Sequence, residues 1–299
     1  MNNMPLVSVI IPTYKRPEKL SRAINSVLNQ TYKNVEVIVV DDNNPDTEAR
    51  CMTEKIMSAY EKNDRVRYIR HKQNRNGAAA RNTGASYSNA KYIGLLDDDD
   101  EFFPDKIKSQ VDRLEELGKE FKLCYSKYII EKEGGGARYS SENREGNLYL
   151  EALTRELHIC AGSNLLIEKK AFDSVGGFDE SFIRNQDLEL LTKLLVKYKI
   201  AYTSVVGVKV NFHTNHGYYD PVEITRQYYS KFSSIINGLN NAEKKRVEII
   251  IRKQVFYETL IYKKQLLKAL MMIVVGEISI ISAFNIVVQK FFAHFKKTV

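Results

Sequence analysis

The sequence predicts an α/β fold: a mostly parallel, doubly wound sheet flanked by helices, with a helical appendage at its C-terminal end. Three observations carry this expectation. Short apolar runs alternate with stretches of helical period. The runs are apolar throughout rather than at every second residue, as befits parallel strands covered on both faces. Three of them end in polar or acidic knots, and ligands of such sheets bind beyond the carboxyl ends of the strands.

The elements follow in order. Leu6-Val7-Ser8-Val9-Ile10-Ile11 reads as a strand stopped by Pro12-Thr13-Tyr14. From about Arg16 to Gln30, Leu20, Ile24, Val27 and Leu28 fall on one helical face. Val35 to Val40 is a second apolar run, ending at Asp41-Asp42-Asn43-Asn44. A helix over about Thr47 to Glu61, a short strand Val66 to Ile69 and a loop around Asn74-Arg75-Asn76-Gly77 come next. A helix over about Ala78 to Ser88 leads to the strand Tyr92-Ile93-Gly94-Leu95-Leu96. In the second half, Leu123 to Ile130 and Val205 to Val210 read as strands, and Gly134-Gly135-Gly136 as an exposed loop. Gly176-Gly177 permits tight turns before a helix that starts near Asn185.

The densest chemistry is Asp97-Asp98-Asp99-Asp100, placed directly after an apolar strand. Four carboxylates at one strand end repel one another, and a hard divalent cation is the partner that oxygen ligands of this kind accept. Alternation along an extended chain turns Asp97 and Asp99 to one side and Asp98 to the other. The alternative is a solvated acidic turn before a helix, with Phe103-Pro104-Asp105 as its start signal.

Together these blocks resemble the family-2 glycosyltransferases of the GT-A fold. The resemblance rests on Pro12-Thr13-Tyr14 with Arg16, Val39-Val40-Asp41-Asp42, Asn74 through Gly84, Leu96 through Asp100 with Pro104, and Gly176 through Glu180 followed by Asn185-Gln186-Asp187. It covers roughly residues 6 to 215 and implies a Rossmann-like GT-A domain of the bacterial polysaccharide type. It implies a nucleotide-sugar donor, a UDP-sugar, with Asp42 accepting the N3–H of the base and the Pro12-Thr13 backbone lining the base pocket. Tyr14, Arg16 and Asp98 belong to the same donor region. Arg81 suits the diphosphate because a guanidinium is a planar fork; its alternative is a salt bridge. Asp97 and Asp99 match the DxD carboxylates, Asp97 near the ribose and Asp99 on a divalent metal, Mn or Mg. His213 fits the position of a further metal contact. Asp187 matches the general base of an inverting displacement, the alternative being that it caps its helix. Relatives often have Glu-Asp where this chain has Gln186-Asp187. The acceptor implied is a sugar or lipid-linked saccharide in cell-surface polysaccharide or glycolipid assembly.

Composition bounds the rest. The length suits a GT-A domain over 1–220 and a helical, basic and apolar region over 221–299. Cys51, Cys124 and Cys160 are far apart, so neither a zinc site nor a disulfide framework is indicated. The first residues carry no charged, apolar leader, and a cytoplasmic enzyme is expected. Of the net charge of +8, residues 239–299 hold +7, from eleven Lys or Arg against four Glu. That tail is also the most apolar part, with Leu266, Leu270, Ile273, Ile280, Phe284 and Val288 at helical steps and Lys263, Lys264, Lys290, Lys296 and Lys297 flanking them. This pattern suits an anionic membrane surface; packing on the core or on a second copy of the chain is the alternative. Glu277 splits the stretch and argues against a span. Two rival functions remain: a sugar-nucleotide nucleotidyltransferase and a nucleic-acid binder using the basic tail. The first lacks a Gly-rich phosphate loop after the first strand, and the tail is too apolar to track phosphates, so no nucleic acid is expected.

Overall fold

A computed structural model describes residues 4–131, 136–211 and 219–288. The chain divides into two compact units, Met1–Thr214 and Asn215–Val299.

The first unit opens with β1 (Val7–Thr13), α1 (Pro17–Leu28), β2 (Val35–Asp41), α2 (Glu48–Ser58), β3 (Val66–Arg70), α3 (Gly77–Ser86) and β4 (Tyr92–Leu95). These are the elements that the hydrophobic pattern predicts, and β1 to β4 are parallel in the order β3-β2-β1-β4. Pro17 opens α1, where its fixed φ fits and its missing N–H costs nothing. One face of α1, Leu20, Ala23, Ile24 and Val27, is fully buried. Asn76 caps α3 by accepting hydrogen bonds from the N–H groups of Ala78 and Ala79.

The second half of the sheet mixes directions. It holds β5 (Glu101–Phe102), α4 (Lys106–Leu117), β6 (Phe121–Glu131), β7 (Ala137–Tyr139), α5 (Tyr149–Leu153), α6 (Ala161–Asn164), β8 (Leu166–Glu168), α7 (Lys169–Ser174), α8 (Gln186–Lys197) and β9 (Lys199–Asn211). Three-residue β8 inserts antiparallel between β4 and β6, and β9 runs parallel to β6 with β5 against its other edge. β9 starts two residues after α8 ends, six residues earlier than the apolar run at Val205 suggests. Two cores cover the faces: one around Val9, Ile24, Val39 and Ile107, the other around Ile10, Leu95, Leu165 and Leu191.

The second unit is helical: α9 (Pro221–Lys231), α10 (Ser233–Gly238), α11 (Asn241–Tyr257), a π-helical turn Glu258–Tyr262 and α12 (Leu266–Val274). Asn240 and Glu243 form a capping box at the start of α11. The continuous helix suggested by the apolar steps from Leu266 to Phe292 is instead interrupted. α12 stops at Val275, Gly276 adopts φ +75, and helix resumes over 280–288. The break lets Met272, Ile278 and Ala283 close on Phe256 in a small core.

The sheet and α3 approach closely because α3 presents Ala78, Ala79, Ala80 and Gly84. A β-carbon at Gly84 would overlap Ile10 Cγ2 and press on Val40. Gly84→Ala is expected to cost about 1–3 kcal/mol by overpacking, read as a lower urea midpoint with an unchanged slope.

Candidate active site

β1, β2 and β4 end side by side and deliver their polar termini to one edge. A cavity of about 420 Å³ lies there, lined by Pro12, Thr13, Tyr14, Arg16, Asp42, Asn74, Asn76, Gly77, Ala80, Arg81, Asp97, Ile183 and Arg184. Seven of the residues predicted for the donor therefore meet in one place. Asp98 and Asp99 sit just behind them.

Each cluster of carboxylates is held by an arginine. Asp41 is buried and pairs with Arg50 of α2, Nε to Oδ2 at 2.9 Å, while the Tyr68 hydroxyl donates to the same oxygen at 2.5 Å. With Asp41 fixed, Asp42 turns to the cavity. Its Oδ1 accepts from His71 Nδ1 at 2.7 Å and from the Arg75 N–H at 2.8 Å, and its Oδ2 accepts from Asn74 Nδ2 at 2.7 Å.

The acidic run does not continue as a strand. Its chain coils into a turn, with the Asp100 N–H donating to the Asp97 carbonyl at 3.1 Å. Asp98, fully buried, pairs with Arg16 Nη2 at 2.8 Å, and Arg16 also closes on Asp99. One oxygen each of Asp97, Asp99 and Asp100 lies within 4.8 Å of the others. The alternation expected of an extended chain does not apply in this turn: Asp98 and Asp99 share Arg16, and the turn brings Asp100 to Asp97 and Asp99. The Asp100 Oδ1 accepts from the Asn211 N–H at 2.9 Å. Burial pushes the Asp98 carboxyl up to about 7, against the pull of Arg16, and the Asp100 carboxyl up to about 8, with Asp97 adding to it. Three hard oxygen donors within reach of one another fit a divalent cation, with Asp97, Asp99 and Asp100 as the residues to hold it. His213 lies outside the described residues.

Arg81 joins this cluster to α8. Its Nη2 meets Asp97 Oδ1 at 2.5 Å, its Nη1 donates to Gln186 Oε1 at 3.3 Å, and its guanidinium lies 5.5 Å from the Phe178 ring centre. Asp187 occupies the first turn of α8, behind Asn185 in the left-handed conformation. Burial raises its pKa and Asp97 raises it further, while Arg81 and the N–H groups of Asp187 and Leu188 hold it down. The loop before α8 is pinned to α3 by Asn82. Its amide donates to the Phe178 carbonyl at 3.0 Å and accepts from the Phe178 N–H at 2.9 Å. Gly177 turns there at φ +63, and a β-carbon would strike Asn82 Oδ1 and the Phe172 ring. His71 escapes a reading of sequence alone, while Gln186, Asn82 and Asp100 stand inside the quoted motif blocks without a role of their own.

The mixed sheet, the acidic turn after β4 and the helix bearing Asp187 together define the GT-A architecture of nucleotide-sugar enzymes. The sequence model described as "Glycosyl transferase family 2" matches residues 8–176, and the chain belongs to that family. A glycosyltransferase of Rickettsia felis is 34% identical over 219 residues, covering 71% of this chain and 35% of that one. The chain thus spans about a third of the length of such relatives. The amylovoran biosynthesis glycosyltransferase AmsB of Erwinia amylovora is 28% identical over 212 residues, 69% of each chain. The GalNAc(5)-diNAcBac-PP-undecaprenol beta-1,3-glucosyltransferase of Campylobacter jejuni is 29% identical over 188 residues, 61% of this chain and 58% of that one. Among solved structures, S. aureus TarS 1-349 in complex with UDP-GlcNAc aligns with TM-score 0.66 at 16% identity, over 85% of this chain and 72% of that one.

The raised carboxyls set a pH dependence. Their folded pKa values exceed the unfolded value near 4, so the stability they contribute is complete below it and lost as pH rises through 7 to 8. Without divalent cation, the melting temperature is expected to fall between pH 5 and 8.5. Added Mn²⁺ should restore it at pH 8 and do little at pH 5.5. Asp100→Asn, which copies the protonated carboxyl, should melt higher than the wild type at pH 8 and show a flatter profile; thermal scans in chelator and in Mn²⁺ test this.

Proposed function

We propose that the chain is an inverting, metal-dependent glycosyltransferase that moves a sugar from a UDP-sugar to a hydroxyl of a saccharide acceptor. The observation that carries the reading is the cavity itself, where Asp42, Arg16, Arg81 and Asp97 line one space and Arg81 bridges to the helix of Asp187. In this assignment Asp42 accepts the imide N–H of the base, with the Pro12-Thr13 backbone and Tyr14 beside it. Asp97 lies near the ribose, and Arg16 and Arg81 face the diphosphate. Asp97, Asp99 and Asp100 would hold Mn²⁺ or Mg²⁺, which supplies charge neutralisation for the departing nucleoside diphosphate.

Asp187 is the general base. Its carboxylate takes the proton of the acceptor hydroxyl as that oxygen bonds to the anomeric carbon and the bond to the diphosphate breaks on the opposite face. The configuration inverts in a single displacement. A raised pKa makes this carboxylate a better proton acceptor than an ordinary surface Asp. Gln186 leaves Arg81 with one carboxylate partner rather than two, so the guanidinium keeps charge for phosphate oxygens. The names of the Erwinia and Campylobacter relatives support a polysaccharide or lipid-linked saccharide acceptor. Asp187→Asn should lower turnover by about two to four orders of magnitude while UDP binding persists. Near-normal transfer by that variant would remove Asp187 from the mechanism.

The second unit supports a place at the cytoplasmic face of a membrane. Among the described residues no helix is long and apolar enough to cross a bilayer. Yet Leu266, Leu267, Leu270, Met271, Val274, Ile280, Ile281 and Phe284 are all exposed, Leu267 at 79% and Val274 at 78%, beside Lys263, Lys264 and Lys268. Apolar burial with flanking lysines, each contributing about 1 kcal/mol on an anionic surface, suits a peripheral helix pair. The full chain should float with anionic liposomes and lose part of that binding at high salt. A stable dimer that ignores liposomes would instead assign this surface to a second copy.

A further inference from the structure

His71 follows β3 and is buried, and its backbone is fixed at both ends. Its N–H donates to the Asp41 carbonyl at 2.9 Å and its own carbonyl accepts from Arg50 Nη2 at 2.9 Å. Its ring then spans two side chains, Asp42 Oδ1 at Nδ1 (2.7 Å) and Thr83 Oγ1 at Nε2 (2.9 Å). A carboxylate only accepts, so Nδ1 carries hydrogen and Nε2 faces the hydroxyl. A carboxylate also offers about four acceptor positions. His71 and the Arg75 N–H fill those of Oδ1, and Asn74 fills one on Oδ2. One acceptor position of Asp42 remains, on the carboxylate that lines the cavity.

We propose that His71 is a positioning residue for nucleobase selection: through Nδ1–H it locks the Asp42 carboxylate so that a single lone pair meets the base. That lone pair matches a ring imide N–H, as in uracil, and repels the unprotonated ring nitrogen that cytosine carries at the same position. The selection acts on the base alone, because His71 and Thr83 are absent from the cavity lining and the arginines that face the diphosphate are bound to other carboxylates. The inference rests on the reading of Asp42 as the base contact.

Asn places its amide where the imidazole Nδ1 lies, whereas Gln reaches the Nε2 position and abandons Nδ1. Titration calorimetry with UDP, CDP and pyrophosphate, all in Mn²⁺, separates the roles. His71→Gln is expected to weaken UDP roughly tenfold, the loss of one hydrogen bond to a charged group. Pyrophosphate affinity should stay within about twofold and the preference for UDP over CDP should collapse. His71→Asn should remain close to the wild type. Equal losses for UDP and pyrophosphate, an unchanged UDP affinity in His71→Gln, or identical behaviour of Asn and Gln would each overturn the proposal. Asp42→Asn separates the two levels. If it leaves UDP binding intact, the base contact itself is wrong and the role of His71 falls with it. If it weakens UDP while His71→Gln does not, only His71 is wrong. Should His71→Gln fail to fold, Thr83→Val carries the same test with an expected UDP loss of about threefold, and no loss overturns the inference.

Discussion

Carboxylates gathered at the ends of parallel strands have to be neutralised, and the architecture around the cavity follows from how this chain does it. Three arginines serve the carboxylates that follow β2 and β4, and each belongs to a different connection. Arg16 sits at the N-terminal cap of α1 and holds Asp98 and Asp99. Arg50 comes from α2 and holds Asp41. Arg81 comes from α3 and holds Asp97. Unpaired carboxylates at this depth would each carry a desolvation cost of several kcal/mol. The pairing therefore fixes how every connecting helix of the first four strands meets the sheet edge, as well as the charge of the cleft.

The compensation is incomplete where it matters for binding. Among the described residues Asp100 meets the Asn211 N–H and Ser163 rather than an arginine, and burial with Asp97 nearby keeps its proton on into the neutral range. A buried carboxylate left short of positive charge fits the donor set described for a divalent cation. Arg81 serves in two directions at once, touching the acidic turn and the helix that carries Asp187. The acidic turn and α8 are thereby joined through a single guanidinium.

The first 96 residues were legible because every element there announces itself locally. β1, β2 and β4 are runs of buried apolar residues and α1 has a buried apolar stripe, so periodicity separates them, while β3 is short and only half-buried. The second half was less so. β8 is three residues long and is a strand only because β4 and β6 flank it. The first residues of β9, Lys199 to Ser204, owe their state to β6 rather than to their own pattern. Seven residues carried by motif context line the cavity, whereas Asp98, Asp99 and Asp187 do not. Residues defined by what they touch did not reveal themselves: His71 needs Asp42 and Thr83 beside it, Gln186 needs Arg81, and Asn82 needs a backbone 96 positions away. The break at Gly276 likewise depends on the core around Phe256.

The way Asn82 holds the loop before α8 bears on how such a scaffold diversifies. Its amide clasps the main chain of Phe178 and also donates to the Glu180 carboxylate at 3.1 Å. Ile183, which faces solvent and lines the cavity, takes no part in the clasp. Substitutions there reshape the mouth of the cavity without loosening the alignment of the helix behind it. A change at such a position alters what meets the cavity while the hold on the helix stays as it is.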